Sequence, residues 1–227
     1  MNKLNIIHSS FLPVISNQVQ QEPLKSLFEN VLPNNSFQPK EEEIFRVFKM
    51  PLNNIRVVII GLEPSNIPGN ATGLSFINGT KEVPSSLSTI YKEIFNSTGL
   101  EANINWWEGQ GIFLLNSALT VETGNSRSHL QHWELFTKTI IRYISYNNPC
   151  IWFLWGRTPR SFQGNIYKPF LVKNYDQKLI KDIPINKQYN YVFRADSPLS
   201  ESVFLGCNHF YQANVILEKL KETKIDW

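Results

Sequence analysis

The sequence predicts a single α/β domain: a central, mostly parallel four-stranded sheet with helices on both faces. Three observations predict it. First, four short runs, Ile55–Ile60, Gly111–Leu115, Cys150–Trp155 and Tyr189–Phe193, are mostly rich in Val, Ile, Leu and Phe and show little alternation with polar residues. Strands covered on both faces read this way. Second, segments of helical period lie between these runs, and strands alternating with helices imply parallel pairing. Third, the 227 residues, 42% apolar and 18% charged, are enough for one substantial core and argue against two.

The helices follow from spacing. Leu24, Leu27, Phe28 and Val31 fall at i, i+3, i+4 and i+7, and so do Leu87, Ile90, Tyr91 and Ile94, with serines ahead of the second set to cap it. Trp133, Phe136, Ile140 and Ile144 mark a third helix, and Phe210, Ala213, Leu217 and Leu220 a fourth. The stretch Gln163–Gln188 is polar and irregular and reads as a long excursion. With no repeat, low-complexity tract or linker, residues 1–227 are expected to form one domain.

Composition narrows the function classes. No apolar run approaches the roughly 18 residues of a membrane helix, and Met1 to Ser10 lacks the pattern of a secretory signal. Cys150 and Cys207 follow neither metal-binding spacing nor a disulfide framework, so a reducing, cytosolic setting is expected. The net charge of +3 suits a nucleic-acid partner without establishing one. His129, His132 and His209 lack cysteine or carboxylate partners at ligand spacing, so neither a metal nor a cofactor is expected.

In such sheets the ligand crevice lies beyond the carboxyl ends of the strands. The segments that follow the four strands therefore carry the functional information. They are Gly61 to Asn66, Asn116 to Leu119, Gly156-Arg157 and Arg194 to Ser200.

These segments resemble family 1 uracil-DNA glycosylases, in the same order and at compatible spacing. Val57 to Gly61 followed by Glu63-Pro64 and Pro68-Gly69 is similar to the family's water-activating loop, GQDPYHGPGQA. Gly73-Leu74-Ser75-Phe76 matches the segment whose phenylalanine stacks on uracil. Pro84-Ser85-Ser86-Leu87 resembles the proline-rich loop, and Leu114-Leu115-Asn116 the segment of the uracil-reading asparagine. Ser128-His129 with Trp133-Glu134 is similar to SH…GWE, one residue shorter. Ser197-Pro198-Leu199-Ser200 matches most of the minor-groove loop HPSPLS, and Gly206 to Phe210 with Ile225-Asp226-Trp227 completes the pattern. The resemblance runs from about Leu24 to the end and implies the uracil-DNA glycosylase fold.

It also implies that the chemistry is damaged. Base excision extrudes a nucleotide into a pocket that reads its edge. The family uses an aspartate to support the cationic sugar and position water, and a histidine to stabilise the oxyanion. Glu63 stands at the aspartate position; one added methylene moves the carboxylate by about 1 Å, a shift that can cost roughly 100-fold in a preorganised site. Ala195 stands at the histidine position, and losing one oxyanion donor costs about 10²–10³ in rate. Asp196 replaces a proline and is expected to bring negative charge toward the oxyanion and DNA phosphates. No catalytic residue is intact on this reading.

The base pocket is assigned to Leu62, Glu63, Ser65, Phe76 and Asn116. Ser65 stands where the family has the tyrosine that excludes thymine, and Leu62 where it has a glutamine. The opening at Ser65 either admits thymine or reflects a pocket no longer under functional demand. Ser86, Gly156, Arg157, Ser197, Pro198, Leu199 and Ser200 are assigned to a DNA- or inhibitor-binding rim. Leu199 keeps the apolar wedge position, while Arg157 either pairs with phosphate or obstructs the groove. The partners implied are DNA and the DNA-mimicking uracil-glycosylase inhibitor proteins, with the chain a monomer on its own and no membrane involved. One reading is a catalytically degenerate homologue, a decoy or regulator in a virus or mobile element; the other is a divergent glycosylase with weak uracil or altered pyrimidine activity.

Overall fold

The computed structural model describes residues 4–172 and 183–227. In chain order the helices are α1 (Leu12–Gln18), α2 (Leu24–Ser26), α3 (Ser85–Thr98), α4 (Leu130–Asn147), α5 (Arg157–Ser161), α6 (Glu201–Phe204) and α7 (His209–Lys219). The strands are β1 (Phe37–Gln38), β2 (Val57–Gly61), β3 (Ile112–Asn116), β4 (Val121–Glu122), β5 (Ile151–Trp155), β6 (Pro169–Val172) and β7 (Asn190–Ala195). A five-stranded sheet runs in the order β3-β2-β5-β7-β6, and β1 and β4 form a separate antiparallel pair. All four neighbouring pairs in the large sheet are parallel.

The α/β fold is as expected, but the sheet has five strands rather than four. The additional strand, β6, lies inside the Gln163–Gln188 stretch that reads as irregular. It begins on Pro169, occupies the sheet edge and buries only Val172. Proline is tolerated at the first residue of an edge strand, where no ladder donor is needed. A four-residue, half-exposed strand therefore leaves no apolar run to read. Of the rest of that stretch, residues 173–182 lie outside the described residues.

Right-handed crossovers place the helices. The chain moves from β2 to β3 through α3, then reverses across β2 to β5 through α4, so α3 and α4 cover opposite faces. α7 and α6 pack with α3, and α1 and α2 with α4. Every residue of β2, β3 and β5 is buried, which accounts for their unbroken apolar sequence. The Trp133, Phe136, Ile140 and Ile144 stripe of α4 is buried as its period predicts. Leu24, Leu27, Phe28 and Val31 span α2 and the wider turn that continues it to Val31. The serines at the start of α3 do not cap it: Pro84 holds the cap position without a side-chain bond.

Two features fix the sheet without any periodic signal. The Asn190 side chain, fully buried at the start of β7, donates to the carbonyls of Ser145 and Tyr167 and accepts from Cys150 N and Trp152 Nε1. Ahead of the recognised motifs, Phe11 and Ile15 are also fully buried, and the Phe11 ring lies 5.2 Å from Phe48 and 5.8 Å from Phe113.

Candidate functional site

The site begins where β2 and β3 end side by side. Gly61 pairs with Asn116 in register, and a Cβ on Gly61 would lie 2.8 Å from both Asn116 Oδ1 and Ser75 Cβ, so only glycine fits. The Gly61 carbonyl accepts from Ser117 N at 2.9 Å and Ser117 Oγ at 2.8 Å, and the Leu62 carbonyl accepts from Ala118 N at 3.1 Å. These bonds turn the two loops outward together. Between them and the β5 and β7 ends lies a cavity of about 610 Å³.

All five residues assigned to the base pocket, Leu62, Glu63, Ser65, Phe76 and Asn116, line this cavity, and so do Ser86, Ser197, Pro198 and Leu199. Gly156, Arg157, Ala195 and Ser200 do not. Asn116 is buried, yet its side-chain amide has no protein partner among the described residues and faces the cavity. Phe76 adopts φ of +66°, a conformation unusual for a bulky residue and of the kind found at binding sites. Its ring meets Trp155 edge-on at 5.8 Å.

Trp155 is a lining residue that the sequence reading missed; its position at the last residue of β5 was the available signal. Trp155 Nε1 donates to His209 Nδ1 at 3.0 Å. His209 is fully buried, and burial pushes its pKa down to about 3, so the ring is neutral with its proton on Nε2. A second buried chain supports the β3 loop: Thr120 Oγ1 accepts from Trp133 Nε1 at 2.8 Å and lies 3.0 Å from His129 Nδ1. Burial also lowers the His129 pKa, with a smaller effect of the same sign from His132.

Both oxygens of the Glu63 carboxylate accept a hydrogen bond. Its Oε1 accepts from Ser126 Oγ at 2.6 Å and its Oε2 from Arg127 N at 2.8 Å. Arg127 holds φ of +65° in making this contact. The clamp residues Ser126 and Arg127 carried no signal in the sequence reading.

At the end of β7, the Ala195 carbonyl accepts from Gly156 N at 3.0 Å, and its methyl supplies no donor. Asp196 does not stand as a free negative charge, contrary to expectation: Arg160 pairs with it at 2.9 Å. Gly156 adopts φ of +93° with its Cα close to Ser197. Arg157 is exposed, and its side chain has no ion pair or hydrogen bond among the described residues. Pro198 is buried beneath the loop, and Leu199 beside it is 71% exposed.

A larger cavity of about 760 Å³ opens at the opposite pole, where the strands begin. Its Arg56 is already engaged by Glu222 and by the Gln110 and Thr223 carbonyls. Among the described residues no His, Cys, Asp or Glu cluster is arranged to hold a metal, and no helix is long and apolar enough to cross a membrane.

No family model matches the sequence. A uracil-DNA glycosylase of Mycoplasmopsis pulmonis is 34% identical over 235 residues, covering 100% of this chain and 99% of that protein. A uracil-DNA glycosylase of a Sinorhizobium species is 38% identical over 200 residues, covering 83% of each. Among solved structures, mimivirus uracil-DNA glycosylase superposes with a TM-score of 0.76 at 22% identity, over 100% of this chain and 89% of that one. A mimivirus UNG variant in complex with UGI gives the same TM-score and identity, over 100% and 91%. With a relative this similar over its full length, and with the strand-end loops gathered around one cavity, the chain belongs to the uracil-DNA glycosylase family.

Proposed function

We propose that this chain is a uracil-DNA glycosylase homologue that binds through its rim and does not excise bases efficiently. The observation that carries the reading is the state of Glu63, whose two carboxylate oxygens each accept a hydrogen bond from the neighbouring loop, one from Ser126 and one from Arg127. Excision needs a carboxylate free to support a cationic sugar and orient water, and a donor for the charge gathering on the departing base. Here the carboxylate is tied to a neighbouring loop. Ala195, at the position of the oxyanion-stabilising group, has no donor to offer.

The rim supports binding. Leu199 stands exposed on a loop with a buried proline at its base, and an apolar tip of that kind acts by entering a complementary socket. A DNA-mimicking uracil-glycosylase inhibitor protein supplies such a socket on an anionic surface, and exposed Arg157, without an ion pair among the described residues, suits the same partner. We place the chain as a monomeric, intracellular decoy or regulator for such an inhibitor, of the kind a virus or mobile element would carry.

A second reading, slow or altered pyrimidine excision, is favoured by one observation: the buried Asn116 amide still faces the cavity, beside Phe76, with no partner among the described residues. A single set of assays separates the two. Uracil-containing and thymine-mismatched DNA are incubated with the chain and scored for strand cleavage at abasic sites, and an inhibitor protein is titrated in parallel. Tight inhibitor binding without cleavage supports the first reading. Turnover on uracil DNA within about tenfold of an intact family member would overturn it.

A further inference from the structure

We propose that two ion pairs, Asp196–Arg160 and Glu201–Lys92, are positioning contacts that hold Leu199 in its presented conformation before any partner arrives. The use of that conformation rests on the binding role proposed above. The side chain of Leu199 is 71% exposed, so little packing fixes it, and its place is set by the backbone on either side. On the entry side, Asp196 Oδ1 accepts from Arg160 Nη2 at 2.9 Å, while Arg160 Nε donates to the Gly156 carbonyl at 3.2 Å. That guanidinium is thus held at the start of α5. On the exit side, Lys92 Nζ donates to Glu201 Oε1 at 2.7 Å, tying the loop to α3.

Between the tethers lies one short turn. Leu199 N donates to Ser197 Oγ at 3.3 Å, and Ser200 N donates to the Ser197 carbonyl at 2.8 Å. Pro198 is buried below, and Phe204 packs edge-on against Trp155 at 5.1 Å, so the base of the loop is fixed from the core. The ion pairs add lateral restraint, pulling the two ends of the turn toward different helices. Each pair is partly exposed and therefore weak alone and screened by salt. Acting together on one turn, they reduce the ordering that a partner must impose on binding. Salt then weakens the hold on Leu199 even where the contact that Leu199 makes is apolar.

The test is amide hydrogen exchange at Leu199 and Ser200, whose two N–H groups close the turn. It is measured in the full chain, in a Lys92→Gln/Arg160→Gln variant, and in a charge-swapped variant carrying Asp196→Arg, Arg160→Asp, Lys92→Glu and Glu201→Lys. Removing both pairs should speed exchange at these amides by about tenfold, the combined scale of two surface pairs, with the urea midpoint nearly unchanged. Roughly 1 M salt should do the same to the parent. The charge-swapped variant should return toward the parent rate. Unchanged exchange in the double variant, or a charge-swapped variant as mobile as the double variant, would overturn the proposal. Inhibitor binding is followed separately: failure of the parent to bind, with the exchange pattern as expected, sinks the decoy reading and leaves the positioning contacts standing.

Discussion

Glu63 and Ser126 are joined by a 2.6 Å hydrogen bond that links the loop after β2 to the loop before α4. With Arg127 N on the other oxygen, the carboxylate closes a small ring of contacts at the edge of the cavity. A carboxylate held by two protein donors joins the two loops and has its orientation set by them. The residue that resembles the catalytic acid thus ties together two loops of the rim that carries Ser65.

On the proposed binding role, restoring chemistry requires more than one change. The Glu63→Asp/Ala195→His variant should excise uracil faster than the parent, and Ser126→Ala alone should not. Adding Ser65→Tyr should narrow the activity from uracil plus thymine to uracil. Strand cleavage on uracil and thymine-mismatch duplexes reads all of these. A folded triple variant no faster than the parent would show that the cavity itself is unfit for excision.

Much of the fold was legible because burial on both faces leaves a direct trace. β2, β3 and β5 are apolar throughout since neither face meets water. The edge strand β6 left no trace for the opposite reason. In the site, Phe76, Asn116 and Leu199 were readable from local segments. The contacts around them were not, since they join distant positions: Glu63 with Ser126 across 63 residues, Trp155 with His209 across 54, and Asp196 with Arg160 across 36. No local spacing encodes such pairs; they exist only once the sheet has brought the strand ends together.

Stability should fall with acid through His209. Its pKa in the fold is about 3, against 6.5 when exposed, because burial penalises the charged ring. The unfolded chain therefore binds a proton that the folded chain refuses. The contribution is whole above pH 6.5 and is lost as pH falls toward 3, at about 1.4 kcal/mol per pH unit once well below 6.5. His129, lowered chiefly by burial, adds in the same sense. Urea midpoints taken between about pH 7.5 and 5 should decline, and His209→Gln, which can still accept from Trp155, should flatten the decline. An equal slope in parent and variant would remove His209 as the cause.

Asn190 should prove among the most sensitive positions in the chain. Its amide satisfies two carbonyls, one backbone N–H and the Trp152 indole, all in the interior. Asn190→Ala leaves these groups unpaired, at about 1–3 kcal/mol for each one that water cannot reach. A net loss of roughly 3 kcal/mol corresponds to a fall of about 6–12 °C in Tm for a chain of this size. Thermal unfolding by circular dichroism checks it; a fall under about 2 °C would mean that the site relaxes or admits water.

Leu199 offers the cleanest separation of binding from folding. Its exposure means that Leu199→Ala removes almost no buried surface, so the unfolding midpoint should stay within about 0.5 kcal/mol of the parent. A side chain that enters a central socket on a partner behaves differently: its truncation costs about 2 kcal/mol or more, roughly thirtyfold in Kd. DNA binding, being governed by phosphate neutralisation, should instead weaken steeply with salt. The parent and Leu199→Ala are titrated against uracil DNA and against a DNA-mimicking inhibitor protein at two salt concentrations. An inhibitor complex anchored by Leu199 should lose about thirtyfold on truncation at both salts. A DNA complex limited to phosphate contacts should respond mainly to salt. Equal inhibitor affinity in parent and variant would mean that the exposed leucine is a bystander and that the binding surface lies elsewhere on the rim.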